Sequence, residues 1–279
     1  MRFSLGCELH YRIRQATTFI LNVEAQGGAQ QQVLTEGFEI TPFVATEPQR
    51  AAQTSNLYRR FVMGPGDYTI RYDAQVALSP QLHDPDSVAE VPISDLPLDV
   101  LPYLYASRFC QSDKLARFAW RQFGSLPRGH QRVAGICNWI FDNVDYLAGS
   151  SDAVTSAYDT FTLRAGVCRD FAHLGITFCR ALGIPARFVS AYGWQLKLQD
   201  FHAVFEAYLS GRWYLFDATR LCPIDAIVRI ATGRDAADTA FATYYGEIED
   251  APKLVWIEAL DGANPNAEWT TAAVSATAL

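Results

Sequence analysis

Residues 166–174 read Gly-Val-Cys-Arg-Asp-Phe-Ala-His-Leu, and this stretch decides the fold. Gly166 allows a close backbone approach, and a helical apolar period begins directly after it. The pattern predicts a helix from about Cys168 to Leu182, stopped by Gly183. At a helix start the free N–H groups and the positive dipole end stabilise a thiolate and the oxyanion of a tetrahedral intermediate. Cys168 is therefore a candidate nucleophile.

A candidate base and acid follow on two predicted strands, residues 201–209 and 212–218. If the Ser-Gly pair between them forms a two-residue turn, His202 and Asp217 project from one face as diagonal neighbours. Their Cα atoms would be about 7–8 Å apart, within reach of a side-chain hydrogen bond. A slip of one residue would place them on opposite faces, so the prediction depends on a turn of two residues.

These three residue types in this order predict acyl transfer from a peptide or protein amide. Cys168 attacks the carbonyl carbon, His202 accepts the thiol proton and later donates it to the leaving amine, and Asp217 orients and stabilises the imidazole. The scheme needs no metal and no cofactor. The sequence leaves the acyl acceptor open between water, as in a protease or amidase, and an amine, as in a protein cross-linking enzyme.

Each residue also has a structural interpretation. A cysteine at a helix start is usually a small buried hydrophobe, a strand histidine usually makes hydrogen bonds, and Asp217 can cap a turn. The competing hypothesis is a binding or scaffold protein that keeps the fold without turnover. The presence of all three groups favours the enzyme.

Other polar and aromatic residues near these motifs are interpreted as structural. We expect Cys179 to pack in the core, His173 to be structural and Asp170 to complement the helix start. Trp139 and Tyr146 can each supply a side-chain donor to an oxyanion, and the sequence does not choose between them.

The rest of the chain divides into four predicted parts. Residues 1–80 carry period-two patterns that predict an antiparallel β-sandwich or barrel. Residues 81–105 are rich in proline and predict an extended linker. Residues 106–260 combine amphipathic helices and strands into a catalytic core, and residues 261–279 predict a weakly ordered tail.

Composition excludes several functions. The chain has 279 residues, 49% of them hydrophobic, and a net charge of -7 without basic runs, so we expect neither nucleic acid nor a membrane as partner. The first residues lack the apolar run of a secretory signal, which favours a cytoplasmic location. The cysteines form no Cys-x-x-Cys pair, which favours reduced thiols. They are Cys7, Cys110, Cys137, Cys168, Cys179 and Cys222.

Four motifs resemble the transglutaminase-like superfamily. They are Gly-Val-Cys-Arg-Asp-Phe-Ala-His-Leu at 166–174, Arg-Ala-Leu-Gly-Ile-Pro-Ala-Arg-Phe-Val-Ser-Ala-Tyr at 180–192, His-Ala at 202–203 and Trp-Tyr-Leu-Phe-Asp-Ala-Thr at 213–219. The whole chain is similar to bacterial transglutaminase-like cysteine proteases that carry an N-terminal β domain.

The resemblance implies an α+β fold, in which a papain-like core of helices on an antiparallel sheet follows the β domain. It assigns the nucleophile, base and acid to Cys168, His202 and Asp217. Two positions depart from the usual pattern, because Val204 replaces an aromatic residue and Ala218 replaces a proline. Both departures bear on substrate preference rather than on the chemistry. Calcium sites of the animal enzymes are not indicated.

Overall fold

The computed structural model describes residues 1–250, 252–262 and 269–276. The helices of these residues are α1 (Ser112–Phe123), α2 (His130–Asn143), α3 (Ala157–Leu163) and α4 (Cys168–Ala181). The strands are β1 (Arg2–Ile13), β2 (Thr17–Leu21), β3 (Gln31–Thr41), β4 (Glu47–Arg50), β5 (Leu57–Met63), β6 (Gly66–Leu78), β7 (Gln81–His83), β8 (Asp145–Tyr146), β9 (Ala165–Gly166), β10 (Ala186–Gly193), β11 (Phe201–Leu209), β12 (Arg212–Phe216), β13 (Ile227–Gly233), β14 (Ala242–Tyr245), β15 (Ile248–Asp250), β16 (Leu254–Ala259) and β17 (Ala273–Ser275).

Two antiparallel sheets form the N-terminal β domain. One has the order β15-β1-β6-β3, with β16 also paired to β1, and the other has the order β14-β2-β5-β4. The inward side chains of both sheets meet in one core that includes Phe3, Phe19, Phe61 and Ile70. The predicted N-terminal antiparallel β domain is confirmed.

The N-terminal sheets also take strands from late in the chain. Strands β15 and β16 pair with β1, and β14 pairs with β2. Val255 and Ile257, which alternate along β16, are buried in the same core as Phe3. Part of the predicted segment 106–260 thus completes the N-terminal domain. Without β15 and β16, one edge of β1 would leave its backbone N–H and C=O groups without partners.

Residues 81–105 differ from an extended linker. They contain β7 and three short 3-10 helices, Pro85–Ser87, Ile93–Asp95 and Leu101–Leu104. Leu96 and Val100 pack against Tyr208 and Trp213 of the core sheet. The prolines remove backbone donors from regular ladders, yet the apolar residues between them still bury their side chains.

The described part of the predicted tail contains a buried strand. β17 pairs with β12 and β7, and Ala273, Val274 and Ser275 are at most 1% exposed. Small side chains fit this position, and Arg229 Nη2 donates to the carbonyl oxygen of Ala276 at 2.6 Å. The remaining tail residues, 263–268 and 277–279, lie outside the described residues.

Helices pack on an antiparallel sheet to form the second half of the molecule. The sheet order is β13-β10-β11-β12-β17-β7, and α4 lies on β11. Gly175 allows this approach, since a Cβ there would lie 2.5 Å from Cε1 of Phe205. Helices α1, α2 and α3 cover the other sides of α4. The predicted α+β fold is confirmed.

Strand β11 is fixed by a buried ionic cluster. Glu206 is fully buried between Arg187 at 2.6 Å and Arg229 at 3.2 Å. Burial would raise the pKa of Glu206, but the two guanidinium groups lower it below its ordinary value. The carboxylate thereby ties β10, β11 and β13 together, four residues along β11 from His202.

Within the described residues no helix has the length and apolar character needed to cross a bilayer.

Candidate active site

The β11–β12 hairpin has the predicted register. Leu209 pairs with Arg212, and Ser210 and Gly211 have φ angles of 45° and 76°, as a primed two-residue turn requires. The ladder ends at Phe205 and Phe216, so Asp217 directly follows the last paired residue. His202 and Asp217 share a face, and His202 Nε2 lies 2.9 Å from Asp217 Oδ2.

Helix α4 begins at Cys168, as predicted. The Asp170 carboxylate accepts a hydrogen bond from the N–H of Val167 at 2.9 Å, and it is fully buried. A Cβ on Gly166 would lie 2.7 Å from Cβ of Asp170, so glycine makes room for this capping contact. Asp170 therefore fixes the first turn, in agreement with its predicted role.

The start of α4 and the hairpin meet at the cysteine. The Cys168 thiol lies beside His202, close enough to raise the pKa of the imidazole. Cys168 is half-buried, whereas the side chains of His202 and Asp217 are only 2% and 4% exposed. The structure therefore brings the three predicted side chains together, with the imidazole and the carboxylate shielded from solvent.

Burial and charge act in opposite directions on the imidazole and the carboxylate. Burial lowers the pKa of His202, but the Asp217 charge and hydrogen bond outweigh it and raise that pKa well above its ordinary value. Burial raises the pKa of Asp217, and His202 together with the hydrogen bonds from Thr219 lowers it overall. The pair is therefore held as imidazolium and carboxylate.

Thr219 holds the carboxylate from the other side. Its N–H donates to Asp217 Oδ1 at 2.8 Å, and its hydroxyl donates to the same oxygen at 2.6 Å. Asp217 thus caps the turn after β12 and also contacts the imidazole. The geometry of Asp217 is compatible with both its structural and its functional interpretation.

Of the two aromatic candidates, Tyr146 lies at the site. The short strand β8 pairs in parallel with β9, which places Tyr146 beside Gly166. The Tyr146 hydroxyl contacts the N–H and the thiol of Cys168, and burial followed by the Cys168 charge raises the pKa of Tyr146 to about 12. Trp139 instead packs against Phe118 and Phe178 in the helical core.

Cys222 is a site residue that sequence reasoning missed. It follows Asp217 by five residues, is 2% exposed and makes a hydrogen-bonding contact with His202. Its thiol sulfur and the ligand atoms of His202 and Asp217 all lie within 4.8 Å of one another. The turn after β12 gave no periodic signal that could place it.

The remaining candidates are structural, as the sequence indicates. His173 is fully buried, stacks on Phe109 at 5.1 Å, and its Nε2 accepts from the N–H of Ala236 at 3.1 Å. Cys179 is fully buried in the helical core.

Helices on an antiparallel sheet, a cysteine at a helix start and a histidine and aspartate on adjacent strands define the transglutaminase-like class of fold. The model of the transglutaminase-like superfamily matches residues 119–218, and that of the bacterial transglutaminase N-terminal domain matches residues 1–99. The crystal structure of a candidate cysteine protease from Cytophaga hutchinsonii is 40% identical, with a TM-score of 0.94, over 99% of this chain and 96% of that chain. The chain belongs to the transglutaminase-like superfamily.

A second relative matches over a shorter region. Protein ML0607 of Mycobacterium leprae is 31% identical over 118 residues, which are 39% of this chain and 42% of the relative. The match therefore spans less than half of either protein.

Proposed function

We propose that the chain is a thiol hydrolase that cleaves peptide or amide bonds through a thioester on Cys168. The observation that carries the proposal is the half-buried thiol at a helix start, in contact with an imidazole whose Nε2 lies 2.9 Å from a buried carboxylate. The similarity over almost the whole chain to a candidate cysteine protease supports the same chemistry. Peptide or protein amides are the proposed partners, and the cytoplasm is the proposed location.

Acylation starts from the thiolate and imidazolium that form when His202 takes the thiol proton. Because Nε2 is bonded to Asp217, Nδ1 is the nitrogen left for this exchange. The sulfur attacks the carbonyl carbon, and the tetrahedral intermediate then breaks its C–N bond. His202 donates the proton to the leaving amine, and the acyl group remains on sulfur as a thioester.

Deacylation repeats the sequence with water. His202 removes a proton from water, the hydroxide attacks the thioester carbonyl, and the C–S bond breaks. The proton returns to the sulfur and the carboxylic acid leaves. Asp217 stabilises the imidazolium that forms in each half-reaction.

The Cys168 N–H and the Tyr146 hydroxyl are the proposed oxyanion donors. In the free protein the hydroxyl contacts this N–H. When a carbonyl oxygen takes the N–H, the hydroxyl is positioned to donate to the same oxygen.

Replacing Tyr146 with phenylalanine is expected to lower kcat about 100-fold, because one oxyanion donor is lost. KM should change little, since the hydroxyl acts on charge that develops in the transition state. Steady-state kinetics of Tyr146→Phe give both constants. Phe141→Leu, at an exposed position on α2, is the control and should leave both near wild type. An unchanged kcat in Tyr146→Phe would remove the hydroxyl from the mechanism.

A peptide-amide library tests the proposed function. Products are assayed as new amine termini, as free ammonia and as incorporation of a fluorescent primary amine, with Cys168→Ala as the blank. New termini identify a protease, ammonia identifies an amidase, and incorporation identifies an amine-accepting transglutaminase. A wild-type chain that yields none of these above the blank would favour the non-catalytic binding protein.

A further inference from the structure

Three different ligand types surround one point beside the catalytic histidine. They are a ring nitrogen of His202, a carboxylate oxygen of Asp217 and the Cys222 sulfur, and these atoms all lie within 4.8 Å of one another. Nε2 of His202 and Oδ2 of Asp217 are 2.9 Å apart. Neither the thioester mechanism nor the packing of β12 assigns Cys222 a chemical role. Its thiol is nevertheless kept in contact with the imidazole.

The spacing of these donors fits a tetrahedral Zn²⁺ ion after small rotations. Zn–N and Zn–O bonds of about 2.0–2.2 Å and a Zn–S bond of about 2.3 Å place neighbouring donors about 3.3–3.6 Å apart. The Nε2–Oδ2 distance of 2.9 Å must therefore open slightly, and the wider separations must close by about 1 Å at most. Cysteine, histidine and carboxylate are all ordinary zinc ligands.

Charge and burial favour the ion as well. Binding exchanges the proton of the Cys222 thiol and the Nε2 proton of the imidazolium for Zn²⁺, and both protons leave to solvent. The ion then balances one thiolate and one carboxylate, so the buried cluster is neutral. All three side chains are at most 4% exposed. Bulk water therefore competes little for the three coordination positions of the ion that these side chains fill.

We propose that His202, Asp217 and Cys222 form an inhibitory zinc site that switches the enzyme off. Coordination at Nε2 replaces the hydrogen bond to Asp217, and the imidazole can no longer form the imidazolium that the reaction requires. The fourth position is left for water. Cys168 is not a ligand, which distinguishes this site from ordinary metal poisoning of a catalytic thiol.

Cobalt(II) absorption tests the site without any need for turnover. The Cys168→Ala chain is titrated with Co²⁺, and a near-ultraviolet thiolate-to-cobalt charge-transfer band is expected, which Zn²⁺ removes by displacement. Cys222→Ser in the same background should lose the band and bind Co²⁺ at least about 100-fold more weakly. Cys179→Ser, which changes another buried thiol, should keep the band.

A band that survives Cys222→Ser, or a Cys168→Ala chain that shows no band at all, would overturn the proposal. If Cys222→Ser fails to fold, X-ray absorption of the zinc-loaded Cys168→Ala chain decides instead. One sulfur with nitrogen and oxygen neighbours is expected, and a shell without sulfur would contradict it. Both measurements use a chain without the nucleophile. Their results therefore do not depend on whether the proposed hydrolase activity is correct.

Discussion

Replacing Cys168 with alanine is expected to lower kcat on the order of 10⁶-fold, the loss typical of removing a catalytic nucleophile. Without the sulfur no thioester forms, and only the oxyanion donors and substrate binding remain. Turnover of the best peptide from the library is measured for wild type and Cys168→Ala, with circular dichroism to confirm that both are folded.

Cys179→Ala is the matched control. Cys179 lies on the same helix but is fully buried in its core. Its removal leaves a small cavity, so a modest loss of stability is expected with kcat within about threefold of wild type. Activity of Cys168→Ala within tenfold of wild type would exclude the thioester mechanism.

Replacing Asp217 with asparagine is expected to lower kcat about 10⁴-fold, because the imidazole loses the charge that orients and stabilises it. Burial, the largest influence on the His202 pKa, is then opposed only by Cys168 and Cys222, and the pKa should fall. The loss should therefore appear in kcat, with KM nearly unchanged. Asp225→Asn, at another aspartate close in the sequence, is the control and should retain wild-type kcat.

The loss of unfolding free energy in Asp217→Asn is also expected to depend on pH. Asp217 has a lowered pKa in the folded state, so its contribution is present above its unfolded value and is lost as pH falls. His202 has a raised pKa, so its contribution is full below its unfolded value and is lost as pH rises through the folded one. The difference in unfolding free energy between wild type and Asp217→Asn should peak between about pH 4 and pH 6.5. Urea unfolding across pH measures it, and a difference independent of pH would contradict the ion pair.

The geometry of the candidate site was predictable because it depends on local rules. A glycine followed by a helical apolar period places Cys168 at a helix start. A two-residue turn then fixes which residues of β11 and β12 share a face, so His202 and Asp217 followed from counting. Both rules act within a few residues of the side chain concerned.

What escaped prediction depends on contacts between distant parts of the chain. In sequence, β14, β15 and β16 look like the other strands of segment 106–260. They pair with β1 and β2 because these two distant strands each offer a free edge, which the local sequence does not reveal. Tyr146 reaches Cys168 through the two-residue pairing of β8 with β9, which is too short to leave a pattern. Cys222 lies beside His202 because of an irregular turn. In such a turn the residue type alone does not predict which way the side chain points.

Iodoacetamide labelling of Cys168 at mildly acidic pH tests most directly whether the imidazole activates the thiol. Burial raises the pKa of the other five thiols, so Cys168 is the expected target. The measurement that decides is the labelling rate of Cys168 in wild type compared with that in His202→Ala. Cys168 should be labelled at least about tenfold faster in wild type, because the imidazole takes up the thiol proton. Equal labelling rates in the two chains would contradict the account.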